Sequence, residues 1–127
     1  METPPYPLSG RLWVTRLAET LSVRHRQRVE NWPKIERERL GDQLIRATDS
    51  IGANISEGYV RMHIKERFHF FSIAQGSIEE SIFHLRIAYE RGLITRLDIF
   101  TSVQLLSKLS KGLKNLERTQ TSRTSTS

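Results

Sequence analysis

The last proline of this 127-residue chain is Pro33, and the other three stand at positions 4, 5 and 7. Proline inside a helix removes a hydrogen bond and clashes with the preceding turn, so the chain from Lys34 onward can form long, unbroken helices. Apolar residues recur at helical steps, and neither strand-type alternation nor an Asn-Gly or Asp-Gly hairpin turn is present. The spacing predicts four helices, over about residues 10–31, 35–59, 64–91 and 96–118. The first must stop before Pro33, because the residue ahead of a proline disfavours the helical region. Gly58 and Gly92 stand where helix C-terminal glycines are expected. Residues 1–9 read as an irregular lead-in with Ser9 as N-cap. Residues 119–127 hold seven Ser or Thr and no apolar anchor, which predicts a disordered tail. Helices of this length, roughly 33–42 Å each and joined by short links, specify an all-α fold, a mostly antiparallel four-helix bundle spanning residues 10–118.

Composition narrows the function. With no cysteine, disulfide scaffolds, Cys-ligated metal sites and thiol nucleophiles are excluded. No apolar run approaches the roughly 20 residues that span a bilayer. The N-terminal residues lack a basic region followed by an apolar one, so a cytoplasmic protein without a membrane partner is expected. Twenty Lys and Arg against 14 Asp and Glu leave a net charge of +6. That excess points to acidic partners, nucleic acid first.

Three helices carry patterns beyond a simple core. In the second, Leu40, Leu44, Ala47, Ile51 and Ile55 form one apolar seam. Beside it, within an arc of about 80°, run Arg39, Gln43, Arg46, Ser50, Asn54 and Glu57. Polar groups so near a seam need partners, so we expect a buried polar network from Gln43, Arg46, Ser50, Asn54 and Glu57, with Arg46 and Glu57 each pairing with another element. The third predicted helix has two apolar faces. Phe68, Phe71, Ile78, Ile82, Leu85 and Tyr89 share one, while Ile73, Phe83 and Ile87 cluster about 120–200° away. A monomeric bundle needs one stripe per helix. The second, with Glu80 beside it, is expected at a subunit contact, although a central helix touching neighbours on two sides would also bury it. On the fourth, Lys108, Lys111, Lys114 and Arg118 lie opposite the apolar arc.

The stretch Gln43-Leu44-Ile45-Arg46-Ala47-Thr48-Asp49-Ser50-Ile51-Gly52-Ala53-Asn54-Ile55-Ser56-Glu57-Gly58 resembles the QLxRAxxSIxxNIxEG signature of the four-helix-bundle proteins encoded in 23S rRNA intervening sequences. Lys65-Glu66-Arg67-Phe68 and Ile73-Ala74-Gln75-Gly76-Ser77-Ile78-Glu79-Glu80 are similar to that family's KEF and IAxGSLxE elements, and Leu85, Ala88-Tyr89-Glu90 and Gly92-Leu93-Ile94 to its closing segment. The likeness covers about residues 40–94. Ile82 stands where a second carboxylate is usual, and Ser56 where alanine is. The resemblance implies a ring-like homopentamer. It also implies kinship with the accessory variability determinant of diversity-generating retroelements, and so association with a reverse transcriptase and its template RNA.

Catalysis finds no support in the residues. His25, His63, His69 and His84 make no i,i+4 pair of the metal-ligand kind, so no metal and no cofactor are expected. Glu79 and Glu80 are adjacent and point about 100° apart, and Ser50 and Ser56 have no nearby histidine. The seven glycines are scattered singly, without a phosphate-cradling loop. The better signal is basic surface: Arg24, Arg26, Arg28, Lys34, Arg37 and Arg39 around the first turn, and Lys108, Lys111, Lys114 and Arg118 on the last helix. The phenylalanines are taken up by helix faces, so contact with RNA or DNA would be phosphate-directed and poorly sequence-specific. The expected function is a non-enzymatic, homo-oligomeric nucleic-acid-binding accessory protein. The alternative is a scaffold whose ring docks a protein partner and whose charge only keeps it soluble.

Overall fold

The computed structural model describes the backbone of residues 10–126 and the side chains of residues 13–119. Four long helices make up almost all of it: α1 (Gly10–Glu30), α3 (Asp42–Val60), α4 (Ile64–Glu90) and α5 (Arg96–Thr126). One turn, α2 (Lys34–Glu36), and a π-helical segment (Arg37–Gly41) lead into α3, and no strand occurs among the described residues. The wide π turn, which the apolar spacing did not predict, lies where Gly41 passes α1. A Cβ on Gly41 would stand 2.5 Å from Val29 Cγ1. The helix expected to close at Arg118 extends to Thr126, since no proline or glycine after Gly112 interrupts it. The first eight residues of the expected disordered tail thus have helical backbone, while side chains from 120 onward, the lead-in and Ser9 fall outside the described residues.

Neighbouring helices run antiparallel, as contacts at both ends of each pair establish. Ala18 meets Gly52 and Val29 meets Gly41 between α1 and α3, while Ser50–Ser77 and Gly58–Phe71 tie α3 to α4. Gln75 bonds Ser110 and Tyr89 lies beside Ile99 and Phe100 across α4 and α5, and Arg28–Asp98 with Trp13–Gly112 close the circle between α5 and α1. The core inside this circle contains Leu21, Leu44, Ile51, Ile55, Phe71, Ile78, Leu106, Leu109 and Leu113, each at most 1 % exposed. Each such side chain contributes about 1.5–3 kcal/mol through removal from water. The seam of Leu40, Leu44, Ala47, Ile51 and Ile55 is buried throughout. No helix among the described residues is long and apolar enough to cross a membrane.

Two glycines set how closely rods approach. A Cβ on Gly58 would lie 2.6 Å from Phe71 Cε1, and one on Gly112 2.7 Å from Trp13 Cζ3. Phe71 is fully buried and cannot swing aside, so Gly58→Ala should cost about 1–3 kcal/mol in urea unfolding, with α3 and α4 forced apart.

Candidate functional site

The basic residues divide into two clusters by the antiparallel register. Arg24, Arg26, Arg28, Lys34, Arg37 and Arg39 gather at the end where α1 turns into α3. Lys111, Lys114 and Arg118 lie beyond the middle of α5, towards the start of α1. From Asp98, level with Arg28, to Lys111 is about 20 Å along the helix.

At the first end much of the charge is internally paired. Arg28 Nε donates to Asp98 Oδ1 at 2.9 Å, Arg24 Nη2 stands 3.6 Å from the same oxygen, and Arg24 Nε donates to Ser102 Oγ at 3.0 Å. Asp98 is itself held by the start of α5, where Thr95 and Asp98 form a reciprocal cap: Asp98 N donates to Thr95 Oγ1 and Thr95 N to Asp98 Oδ2. Burial opposes ionisation of Asp98, but hydrogen bonds from Arg28 and Thr95 outweigh it and hold the carboxyl below its ordinary value. Burial, then the neighbouring Arg28, lowers the Arg24 guanidinium, with Asp98 opposing. Arg24 and Arg28 are therefore struts between α1 and α5 and not free phosphate contacts as the sequence suggested: their line on α1 continues the apolar face of Trp13 and Leu17 and points at a neighbour. Arg26 pairs with Asp49 at 3.1 Å and Lys34 loosely with Glu38 at 3.9 Å, both in the open. Arg37 and Arg39 are exposed and carry no ion pair among the described residues.

The α5 cluster is more open. Lys108, Lys111, Lys114 and Arg118 are all exposed on one outer face. Lys108 Nζ sits 5.1 Å from the Trp13 ring centre, a cation–π contact that fixes its stem. Arg118 leans on Asn115, and Lys114 stands near Glu117, whose carboxyl is pushed up by burial and pulled down by that lysine.

The polar ladder departs from expectation. Arg46 is 79 % exposed and bonds Asp42 at 3.1 Å, and Glu57 pairs with Arg61 at 3.0 Å. Both find partners four residues away on or beside their own helix, where such partners are nearest, and not on another element. Arg39 and Gln43 are exposed. Only Ser50 and Asn54 join a part-buried set, through Asn54 Nδ2 to Ser50 Oγ at 3.0 Å and Ser77 Oγ to Ser50 Oγ at 2.9 Å. The buried polar row lies one position away and was missed. His25 Nδ1 is 2.8 Å from Thr48 Oγ1, which is 3.4 Å from Ser81 Oγ, and Ser81 donates to the Ser77 carbonyl.

The second apolar stripe of α4 is divided: Ile73 and Phe83 face outward, while Ile87, expected with them at a subunit contact, packs partly against the core. Ile73 is 39 % and Phe83 58 % exposed, Ile87 is half-buried, and Glu80 faces water with His84 Nε2 at 3.6 Å. The other face is covered as expected at Phe71, Ile78 and Leu85, half-covered at Phe68 and Ile82, and open at Tyr89, near the helix end.

His25, inside the basic run, is 1 % exposed, and burial, then Arg24 and Arg28, lowers its pKa to about 4. A folded-state value below the unfolded 6.5 means that the unfolded chain takes up the proton first, so stability is full above about pH 6.5 and falls as pH drops toward 4. Urea unfolding should show a loss of about 2 kcal/mol between pH 7 and pH 5, and His25→Asn should flatten that slope.

The chain matches a protein family and solved structures. Residues 11–115 match the family model described as 23S rRNA-intervening sequence protein. A crystal structure of a protein of unknown function from the S23 ribosomal protein family of Bacteroides thetaiotaomicron VPI-5482 superposes with a TM-score of 0.78 at 19% identity, covering 87% of this chain and 99% of that one. No curated protein matches the chain.

Proposed function

The chain belongs to the 23S rRNA-intervening sequence protein family, and from that premise we propose that it is a non-catalytic, RNA-associated accessory protein that works as a basic homo-oligomer. The observation that carries the nucleic-acid part is the outer face of α5, where Lys111, Lys114 and Arg118 follow one another at steps of 3 and 4 in open solvent. A row of cations at about 5 Å intervals suits a phosphate backbone and reads no base. Arg37 and Arg39 supply a second, separate contact at the opposite end of the bundle. Each phosphate contact releases counterions, so the affinity depends on salt more than on sequence.

The oligomer is supported by Ile73 and Phe83. Both are exposed among the described residues, and removing side chains of this kind from water is worth about 1.5–3 kcal/mol each before ordering costs. The resemblance suggests five subunits, and a pentamer of +6 chains would carry about +30, a field that steers polyanions. Help to a reverse transcriptase acting on a template RNA is the more particular form of this reading.

Filter binding to a single-stranded RNA should weaken steeply from 50 to 200 mM salt. Lys111→Glu with Lys114→Glu should lower affinity at least tenfold and flatten the salt slope by about 2 per subunit engaged. No binding at 50 mM salt would overturn the reading in favour of a protein-docking scaffold. Light scattering should give a multiple of 14.8 kDa, and Phe83→Asp should reduce that mass while leaving helical content unchanged.

A further inference from the structure

Trp13 of α1 packs on the bare backbone of Gly112 in α5, where a Cβ would lie 2.7 Å from its Cζ3 and 3.4 Å from its Cε3. The glycine seats the indole in the seam between the two helices, and Trp13 remains only half-buried. At about 100° per residue, Gly112 lies about 40° from Lys108 around α5, and Lys108, Lys111, Arg118 and Lys114 occupy the next 120° or so. The ring is therefore the border between the core and the cationic face.

What covers the indole on its outer side is a cation and not an apolar side chain. Lys108 Nζ stands over the ring, 5.1 Å from its centre. Lys108 is exposed, and an ammonium is strongly hydrated, so the ring face beneath it opens to solvent. Arg16, three residues after Trp13, adds an exposed cation from α1, held only by a surface pairing with Glu19 at 3.6 Å. An aromatic face with cations on both sides suits a nucleotide, whose base is flat and whose phosphate is anionic.

We propose that Trp13 is a base-stacking platform and that the α5 face takes single-stranded RNA, with a nucleobase lying on the indole where the Lys108 ammonium rests and that ammonium moving to the flanking phosphate. This rests on the RNA reading of α5 above and names the form of RNA. The exchange is easy: Lys108 trades a surface cation–π contact for a phosphate, and only the end of its flexible stem has to move. Every base has a π face, so stacking tolerates any sequence and agrees with a row of lysines that reads no base. In an A-form duplex the base faces are covered by neighbouring pairs, and the deep major groove admits no side chain, so the platform finds nothing to stack on. Lysines alone would not favour the single strand, because phosphates are offered by both forms.

The other tryptophan, Trp32, is 5% exposed, so the response of the emission to a ligand reports on Trp13. Titrating the full chain at 50 mM salt with a 20-nucleotide single-stranded RNA should quench its fluorescence, while the same strand annealed to its complement should bind with little quenching. Trp13→Phe should abolish the quenching and keep most of the affinity. Trp13→Leu should weaken single-strand binding about tenfold and leave duplex binding and the salt slope unchanged, since no charge is lost. Lys108→Gln should lower that slope by about one per subunit engaged and leave the quenching in place. A Trp13→Leu chain of full helical content that binds both RNA forms equally weakly would overturn the proposal; should that variant unfold, the wild-type and Trp13→Phe titrations decide alone. Single-strand binding without quenching would also overturn it, as would quenching that survives in Trp13→Phe, and either leaves the phosphate reading of α5 standing. No binding of either form at 50 mM salt would remove both.

Discussion

A helix at the corner of a four-helix bundle can turn only one side inward, and α4 carries apolar residues on two. Phe71, Ile78 and Leu85 take the inner side, so Ile73 and Phe83 have no place in the core. The same geometry pushes polar side chains inward wherever helices come close. Ser77, Ser81 and Thr48 sit between α3 and α4 because small hydroxyl residues permit approach and can return their own hydrogen bonds to the turn four residues earlier, as Thr48 does to Leu44 and Ser81 to Ser77. The close α3–α4 contact and the stranded outer stripe are two consequences of one crowded helix.

Charge is spent in two ways. Where α1 meets α5, Asp98 gathers Arg24 and Arg28 into a half-buried cluster, and the capping role of Asp98 keeps the carboxylate fixed at the first turn of α5. Truncating such an anchor would leave two guanidinium groups partly desolvated, so the cluster sets the register of the helices more than it adds net stability. His25 lies among these cations and stays neutral, giving its Nδ1 to Thr48. On the outer face of α5 the lysines have almost no such obligations, and their charge is available to a ligand.

Elements and core faces were legible from spacing: the seam from Leu40 to Ile55 is buried residue for residue, and the second stripe of α4 was visible as a surplus before its exposure was known. Partners were not. The ladder beside the seam was read as buried because an arc of about 80° does not distinguish a helix flank from a helix–helix contact. Arg46 lies on the outside of that flank and Ser50, one turn on, at its inner edge. Arg24 and Arg28 looked like ligand contacts because their partner lies some 70 residues away in sequence. One local signal pointed to it, the Thr95-Arg96-Leu97-Asp98 capping pattern, which marks Asp98 as an acid with a fixed position. The π turn at Arg37–Gly41 leaves no mark in hydrophobic periodicity, because it changes the phase of the helix and not its composition.

Assembly and RNA contact depend on each other in the proposed function. One chain offers only a short row of free cations on α5, and single-chain contacts of that number are weak at physiological salt. An assembly of copies would repeat the row, and once one subunit is bound the others meet the same RNA at a high effective concentration. The gain depends on the RNA being long enough to reach the next row, so affinity should rise stepwise with RNA length in the assembled protein and hardly at all in a Phe83→Asp monomer. A plain surface charge effect would scale smoothly with length in both. In the proposed function, Ile73 and Phe83 thus decide whether the lysines act singly or together.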